Sequence, residues 1–211
     1  MPYGDIKEIA SHGKTKYIAF CDIDSARFAK VDKDFPGTPH FADYMEMYEK
    51  LGDKLDAVNV GTPDHSHARA SIEAMKRGKH VYCQKPLCKS VHEARIMARV
   101  AAETKAITQM GTQIHAGSNY RRVVELVQSG AIGPVREAHV WFDGGNGPMK
   151  RPMETPAVPS TLNWDLWLGP APERPLRQQR GRNRGLPVRA LQQQRPLLEC
   201  QNHAHCDLPI L

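Results

Sequence analysis

Two short polar segments, Thr62-Pro63 and Gln84-Lys85, follow the two strands of one predicted β-α-β unit within residues 56–86. Connections of this kind are right-handed and join parallel strands, so both segments are predicted to emerge at the same edge of one sheet. That edge is where open α/β sheets bind their ligands. A lysine in such a place can act as an acid or a base, because partial desolvation moves the pKa of an ammonium group toward neutrality. The pattern therefore predicts a ligand-binding edge at which Lys85 is a candidate acid-base residue.

The β-α-β unit belongs to a longer alternation of strands and helices. Strands are predicted at residues 16–22, 40–41, 57–60, 80–83 and 106–110. Helix N-caps are predicted at Asp24 or Ser25, at Asp43, at Asp64 or Ser66, and at Ser90, which forms a capping box with Glu93. The core face of the helix after Ser90 is predicted to consist of Val91, Ala94, Ala98 and Ala101. The alternation predicts an α/β fold with a doubly wound, Rossmann-like parallel sheet over residues 1–117.

The pattern changes at Ser118. A helix that ends at Gly130 is followed by a predicted strand at residues 135–142, whose mixed polarity is typical of a half-exposed antiparallel sheet. The aromatic segment at residues 164–170 is interpreted as a packing anchor. Residues 118–175 are therefore predicted to begin a second domain.

The charge of the chain is concentrated at its carboxyl end. The formal net charge is +6 over 211 residues, and residues 174–211 carry seven arginines against two acidic residues. The remainder is close to neutral, so no nucleic-acid partner is expected. No segment has the ~20 apolar residues of a membrane span and no signal peptide opens the sequence, so we expect no membrane partner and a cytoplasmic location. An export signal upstream of Met1 stays open.

Residues 176–211 do not have the composition of an α/β enzyme. They contain no aromatic residue and no lysine, and arginine and glutamine dominate in RQQRGRNRG and LQQQRP. Two explanations stay open: a disordered basic tail, or a reading frame that shifts near Pro175.

The string VNVGTPDHSHARASIEAMKRGKHVYCQKPL at residues 58–87 resembles the Gfo/Idh/MocA oxidoreductases, the group of glucose–fructose oxidoreductase and inositol dehydrogenase. The resemblance extends over residues 5–175 through four further segments: AFCDID, TQMGTQ, QSGAIGPVREAHVWF and NWDLWLGPAPERP. Members have a nucleotide-binding domain followed by a domain whose open antiparallel sheet carries the substrate. The resemblance therefore implies that residues 118–175 begin an α+β substrate and oligomerisation domain. The resemblance implies an NAD(P)-dependent dehydrogenase of a sugar, polyol or related secondary alcohol, and full-length relatives are expected to be homo-oligomeric.

Two parts of the family pattern are missing from this sequence. Nicotinamide-binding domains begin with a strand and a G-x-G-x-x-G loop that binds the pyrophosphate, whereas the first element predicted here is a helix at residues 5–12. The resemblance therefore implies a truncated amino end and a sheet that lacks its first strand. The family also has a glycine-containing motif with an aspartate and a histidine near the substrate. His203 and His205 do not match that motif in spacing or context.

The resemblance implies roles for individual residues. Asp22 would accept the ribose hydroxyls of the adenosine and repel a 2′-phosphate, which favours NAD over NADP. Lys85 would take the hydroxyl proton of the substrate, and Gln84 replaces the glutamate that usually precedes this lysine, so a charge partner is absent. Without the resemblance, Asp22 would be interpreted as a turn former and Lys85 as a surface lysine. The full set of expected cofactor-binding residues is Asp22, Thr62, Pro63, His65, Gln84, Lys85 and Gln113.

No metal site is expected. His65 and His67 are two residues apart, which is poor spacing for two ligands on a helix. The five cysteines are scattered without a C-x-x-C pair, so neither a zinc ribbon nor a disulfide framework is predicted.

Two functions stay open. The first is an NAD-dependent oxidoreductase of a carbohydrate-like substrate, with reduced or no activity because the phosphate-binding loop is absent. The alternative is a non-catalytic remnant of a nucleotide-binding fold, whose basic tail binds anionic partners.

Overall fold

The structure, a computed structural model, describes residues 3–141, 155–169 and 171–176. The strands in these ranges are β1 (Phe20–Cys21), β2 (His40–Phe41), β3 (Ala57–Val60), β4 (His80–Gln84) and β5 (Thr108–Gly111). The α-helices are α1 (Tyr3–Ser11), α2 (Phe28–Val31), α3 (Tyr44–Leu51), α4 (His67–Lys76), α5 (Val91–Thr104), α6 (Ser118–Gln128) and α7 (Trp164–Leu168). No helix within the described ranges has both the length and the apolar character needed to cross a membrane.

All strand pairs are parallel. One sheet has the order β1-β2, and the other has the order β3-β4-β5, in which Val60 pairs with Cys83 and Cys83 pairs with Met110. In the doubly wound order 3-2-1-4-5-6, the first strand lies between the strands equivalent to β1 and β3. Among the described residues, no strand joins the two sheets at that place. The predicted Rossmann-type parallel sheet is confirmed.

Local capping signals set the start of several helical segments. The side chains of Asp24, Asp43 and Ser90 each accept a hydrogen bond from a backbone amide two or three residues further on, as predicted. The capping expected before α4 is wrong. A 3₁₀ turn at Asp64–Ser66 precedes that helix, and Ser66 makes no side-chain capping hydrogen bond.

The main core lies where α4 and α5 pack against the three-stranded sheet. Its most deeply buried members include Val60, Ala74, Met75, Cys83 and Val100. The predicted core face of α5 is largely wrong. Met97 and Val100 are the buried residues of that helix, whereas Val91, Ala94 and Ala98 are exposed. Larger side chains bury more apolar surface, and this favours the Met97 face over the alanine face.

This burial difference gives a matched test within one helix. Replacing Val100, which is 4% exposed, with alanine is expected to lower the free energy of unfolding by about 1–3 kcal/mol. The same replacement at Val91, which is 66% exposed, is expected to change it by less than about 0.5 kcal/mol. Urea denaturation of both variants measures the two values. Equal losses would contradict the assigned face.

The strand expected at residues 135–142 is also wrong in the part that the structure describes. Residues 135–141 have no strand conformation, and all of them are exposed. An antiparallel strand needs a hydrogen-bonded neighbour, and none of the described strands pairs with this segment. Phe142 and the tail beyond Leu176 lie outside the described residues. The domain boundaries at residues 117/118 and 175/176 stay predictions.

Candidate functional site

The segments that follow β3 and β4 emerge side by side at the carboxyl edge of the sheet. Val60 and Cys83 are paired in register, and Thr62 and Lys85 each lie two residues beyond that pair. The two residues therefore stand at the same level above neighbouring strands. Both are exposed, so the edge between them is open to a ligand. Lys85 forms no ion pair with any residue that the structure describes.

His67, at the start of α4, connects these two segments. Its Nε2 atom is 2.7 Å from the carbonyl oxygen of Thr62, and its Nδ1 atom is 2.6 Å from the carbonyl oxygen of Pro86. The residue is 1% exposed. Sequence reasoning considered His67 only as a metal ligand and missed this contact. The sequence does contain one signal for this contact. His67 is predicted in the first turn of a helix that follows the Thr62 turn, at the same sheet edge as the segment after β4.

Gln84 and Gln113 are brought together by a carboxylate that sequence reasoning also missed. Asp5 of α1 accepts a hydrogen bond from Nε2 of Gln84 at 2.6 Å and one from Nε2 of Gln113 at 2.9 Å. The Oε1 atom of Gln84 accepts the backbone amide of Lys85 at 2.8 Å. A carboxylate at position 84 could not donate to Asp5, so the glutamine amide suits this arrangement.

Backbone packing is tight at the adjacent end of β5. A Cβ atom added to Gly111 would lie 2.9 Å from the hydroxyl of Tyr82 and 3.2 Å from Cα of Gln84. Glycine therefore allows β4 and β5 to approach closely where Gln84 leaves the sheet. This contact fixes the place from which the Gln84 side chain reaches Asp5.

Asp22 lies at the end of β1, in the other sheet. Its side chain is 8% exposed, and its Oδ1 atom accepts the backbone amide of Asp24 at 3.0 Å. The same oxygen is 3.9 Å from Nε of Arg27. The structure therefore places a largely buried carboxylate with a neighbouring guanidinium at the carboxyl end of this strand. Thr62, Gln84 and Lys85 lie on the strands of the other sheet or directly after them.

His65 contacts Trp167 of α7. Its half-buried ring donates from Nε2 to the carbonyl oxygen of Trp167 at 2.9 Å and packs edge-on against the indole, with 5.3 Å between ring centroids. Burial lowers the pKa of His65, although the Trp167 carbonyl acts in the opposite direction. Trp167 is 3% exposed, which supports the interpretation of its segment as a packing anchor.

The segment before α7 also contacts the end of β1. The amide of Ser25 donates to the carbonyl of Thr161 at 2.9 Å, and the amide of Asn163 donates to the carbonyl of Ile23 at 2.8 Å. The residues around Asp22 and those around His65 are thus connected through one chain segment.

Pro63, another of the predicted site residues, lies in the Thr62 turn. It is half-buried, and its side chain cannot form a hydrogen bond.

Comparison with known proteins agrees with this architecture. Residues 5–112 match the GFO_IDH_MocA oxidoreductase family, which has the NAD-binding Rossmann fold. An oxidoreductase of Rhizobium meliloti is 30% identical over 154 residues, which is 72% of this chain and 45% of that protein. Inositol 2-dehydrogenase 3 of Saccharopolyspora erythraea is 33% identical over 125 residues, which is 58% of this chain and 36% of that protein. The crystal structure of myo-inositol 2-dehydrogenase from Lactobacillus plantarum gives a TM-score of 0.53 at 28% identity, covering 56% of this chain and 35% of that one.

The chain spans less than half the length of these relatives. The family match nevertheless extends over just over half of the chain and includes β1 to β5 and the segments that carry Asp22, Thr62 and Lys85. The chain therefore belongs to the Gfo/Idh/MocA family of oxidoreductases, whose Rossmann fold binds NAD.

Proposed function

We propose that this chain is an NAD-dependent oxidoreductase of a secondary alcohol of the sugar or polyol class, with Lys85 as the acid-base residue. The observation that carries the proposal is the position of Thr62 and Lys85 at one level of one sheet edge, each two residues beyond a paired strand position. The names of the inositol dehydrogenase relatives support the substrate class. Reduced or no turnover is expected of the sequence as given, because it has no G-x-G-x-x-G loop to bind the pyrophosphate.

The polar groups present fit this cofactor by their chemistry. The Asp22 carboxylate, which is largely buried at the end of β1, can accept hydroxyl donors from a ribose. Gln84 and Gln113 supply amide groups at the ends of β4 and β5. Thr62, Pro63 and His65 would line the same side through the turn after β3. When bound, NAD supplies the acceptor for the hydride that leaves the alcohol carbon.

Lys85 is exposed at the sheet edge, so the partial desolvation expected for its role would have to come from the bound cofactor and substrate. In the neutral form, its Nζ atom can take the hydroxyl proton of the substrate while the C–H bond breaks, and it returns the proton in the reverse reaction. Because the side chain is exposed and has no ion-pair partner among the described residues, it can reach a substrate above the edge. The proton then passes to water.

One observation favours the alternative, a non-catalytic nucleotide-fold remnant whose basic tail binds anionic partners. The Asp5 carboxylate already holds the amides of Gln84 and Gln113, which are both among the expected cofactor-binding residues. A ligand that used these amides would have to displace Asp5.

The test is an equilibrium titration of the chain with NAD and with NADP, followed by an assay for NADH formation with myo-inositol. Saturable binding of NAD that is tighter than that of NADP, with slow inositol-dependent NADH formation, is the expected result. Binding of a polyanion such as heparin without binding of either dinucleotide would replace this function with the alternative. Turnover as fast as that of a full-length inositol dehydrogenase would contradict the expected reduction.

A further inference from the structure

His67 contacts two backbone carbonyls from a buried position. It is 1% exposed, and its two ring nitrogens lie 2.6 Å from the oxygen of Pro86 and 2.7 Å from the oxygen of Thr62. The contact to Thr62 lies at the short end of the range for N–H···O hydrogen bonds, and the contact to Pro86 is slightly shorter. One imidazole ring therefore spans the segment after β3 and the segment after β4.

The chemistry of these contacts specifies the charge of the ring. A carbonyl oxygen only accepts, and a neutral imidazole has one N–H donor and one acceptor nitrogen. In the neutral form, one of the two short contacts would bring a nitrogen lone pair against an oxygen lone pair. Both contacts are favourable only when both nitrogens carry a proton.

The surroundings of His67 agree with the charged form. Burial acts to lower the pKa of the ring, but the Cys83 side chain and the carbonyls of Pro86 and Thr62 outweigh it, so that the pKa is raised above its ordinary value of 6.5. Cys83 of β4 interacts with the ring, and the ionisable side chains on the two segments that meet at His67 are Asp64, His65, Lys85, Cys88 and Lys89.

We propose that His67 is a positioning residue that, as an imidazolium, donates to the Thr62 and Pro86 carbonyls at the same time and holds the two segments at a fixed separation. The consequence for catalysis rests on the function proposed above, because Lys85 directly precedes Pro86 and Thr62 borders the expected cofactor. Loss of one hydrogen bond would free the Lys85 segment to move relative to Thr62. His67 itself contacts neither substrate nor cofactor in this role.

The first test reads the ring directly in the cofactor-free chain. In ¹⁵N-histidine-labelled protein, one histidine is expected to show both ring nitrogens protonated at pH 6.5, and to remain so above the ordinary pKa of an imidazole. Its resonances are assigned by their loss in His67→Gln. A neutral single tautomer for His67 at pH 6 would overturn the inference.

The second test follows stability against pH. Since the folded-state pKa lies above 6.5, the charged ring stabilises the fold below pH 6.5, and this contribution is lost as the pH rises through the folded-state pKa. The Tm of the wild-type chain and of the control His92→Gln is expected to fall across that range. In His67→Gln this fall is expected to be absent, because the glutamine at position 67 does not ionise. An identical pH profile in all three proteins would overturn the inference.

The third test measures the separation of the two segments through backbone mobility. In His67→Gln at pH 6.5, hydrogen exchange in peptides covering residues 61–66 and 84–89 is expected to be about tenfold faster than in wild type and in His92→Gln, with α3 unchanged. Unchanged exchange in both peptides would overturn the positioning role. These measurements need no cofactor, so a failure of NAD binding would remove the proposed function and leave the result on His67 intact.

Discussion

Replacing Lys85 with alanine is expected to lower inositol-dependent reduction of NAD at least about 100-fold, because a positioned acid-base residue contributes about 10²–10⁴ to rate. The structure places this lysine directly after β4, exposed, at the sheet edge that also carries Thr62. The larger part of the loss is expected in kcat. Slow turnover is measured by NADH accumulation over hours at high concentrations of the chain.

Lys89→Ala is the matched control, since it removes the same charge four residues further along the chain. Its rate is expected to stay within about threefold of wild type. A second readout does not depend on turnover: saturating NAD should protect Lys85 from acetylation by acetic anhydride, and Lys89 should be unprotected, as measured by mass spectrometry. Equal losses in the two alanine variants, or equal labelling of Lys85 with and without NAD, would show that Lys85 is an ordinary surface lysine.

Replacing Asp22 with serine is expected to reduce the preference for NAD over NADP by roughly 10- to 100-fold. Hydrogen bonds to a charged group contribute about 1.5–3 kcal/mol, and the carboxylate also repels a 2′-phosphate. Arg27, whose Nε is 3.9 Å from Asp22, remains in the variant and can attract that phosphate. The preference is therefore expected to fall for two reasons: NAD binds more weakly, and NADP binds more tightly. Equilibrium titration with both dinucleotides measures the ratio.

Asp24→Ser controls for the loss of a negative charge beside the same guanidinium. Asp24 is 3.7 Å from Nε of Arg27, and serine can still cap the following turn. The NAD preference of this variant is expected to stay within about threefold of wild type. If both serine variants shift the preference equally, the net charge around Arg27 decides the specificity and Asp22 has no particular role.

Sequence patterns predicted the parts of this molecule whose causes are local. Asp24, Asp43 and Ser90 cap as expected because a cap needs only an amide two or three residues away. The β-α-β unit follows from apolar runs and turn residues, and the parallel register then places Thr62 beside Lys85. The wrong face of α5 has a different cause. Helical spacing allowed both an alanine face and a Met97–Val100 face, and only packing against the neighbouring elements chose between them.

The site itself was predicted in part. The resemblance identified the loops of Lys85 and Asp22, but it gave no sign of Asp5, which joins Gln84 from 79 residues away and Gln113 from 108 residues away. It also gave no sign that His65 would turn to Trp167, 102 residues further along the chain. Contacts at such separations depend on how whole elements pack.

By itself, the sequence determined the order of strands and helices, the parallel sheet and the polar segments at its carboxyl edge, because each depends on periodicity and short-range hydrogen bonds. The tertiary structure alone decided that His67 lies between the carbonyls of Thr62 and Pro86. The physical reason for this position is that both nitrogens of a buried ring need hydrogen-bond partners. The two oxygens that serve as partners belong to segments that meet only after α4 has packed against the sheet.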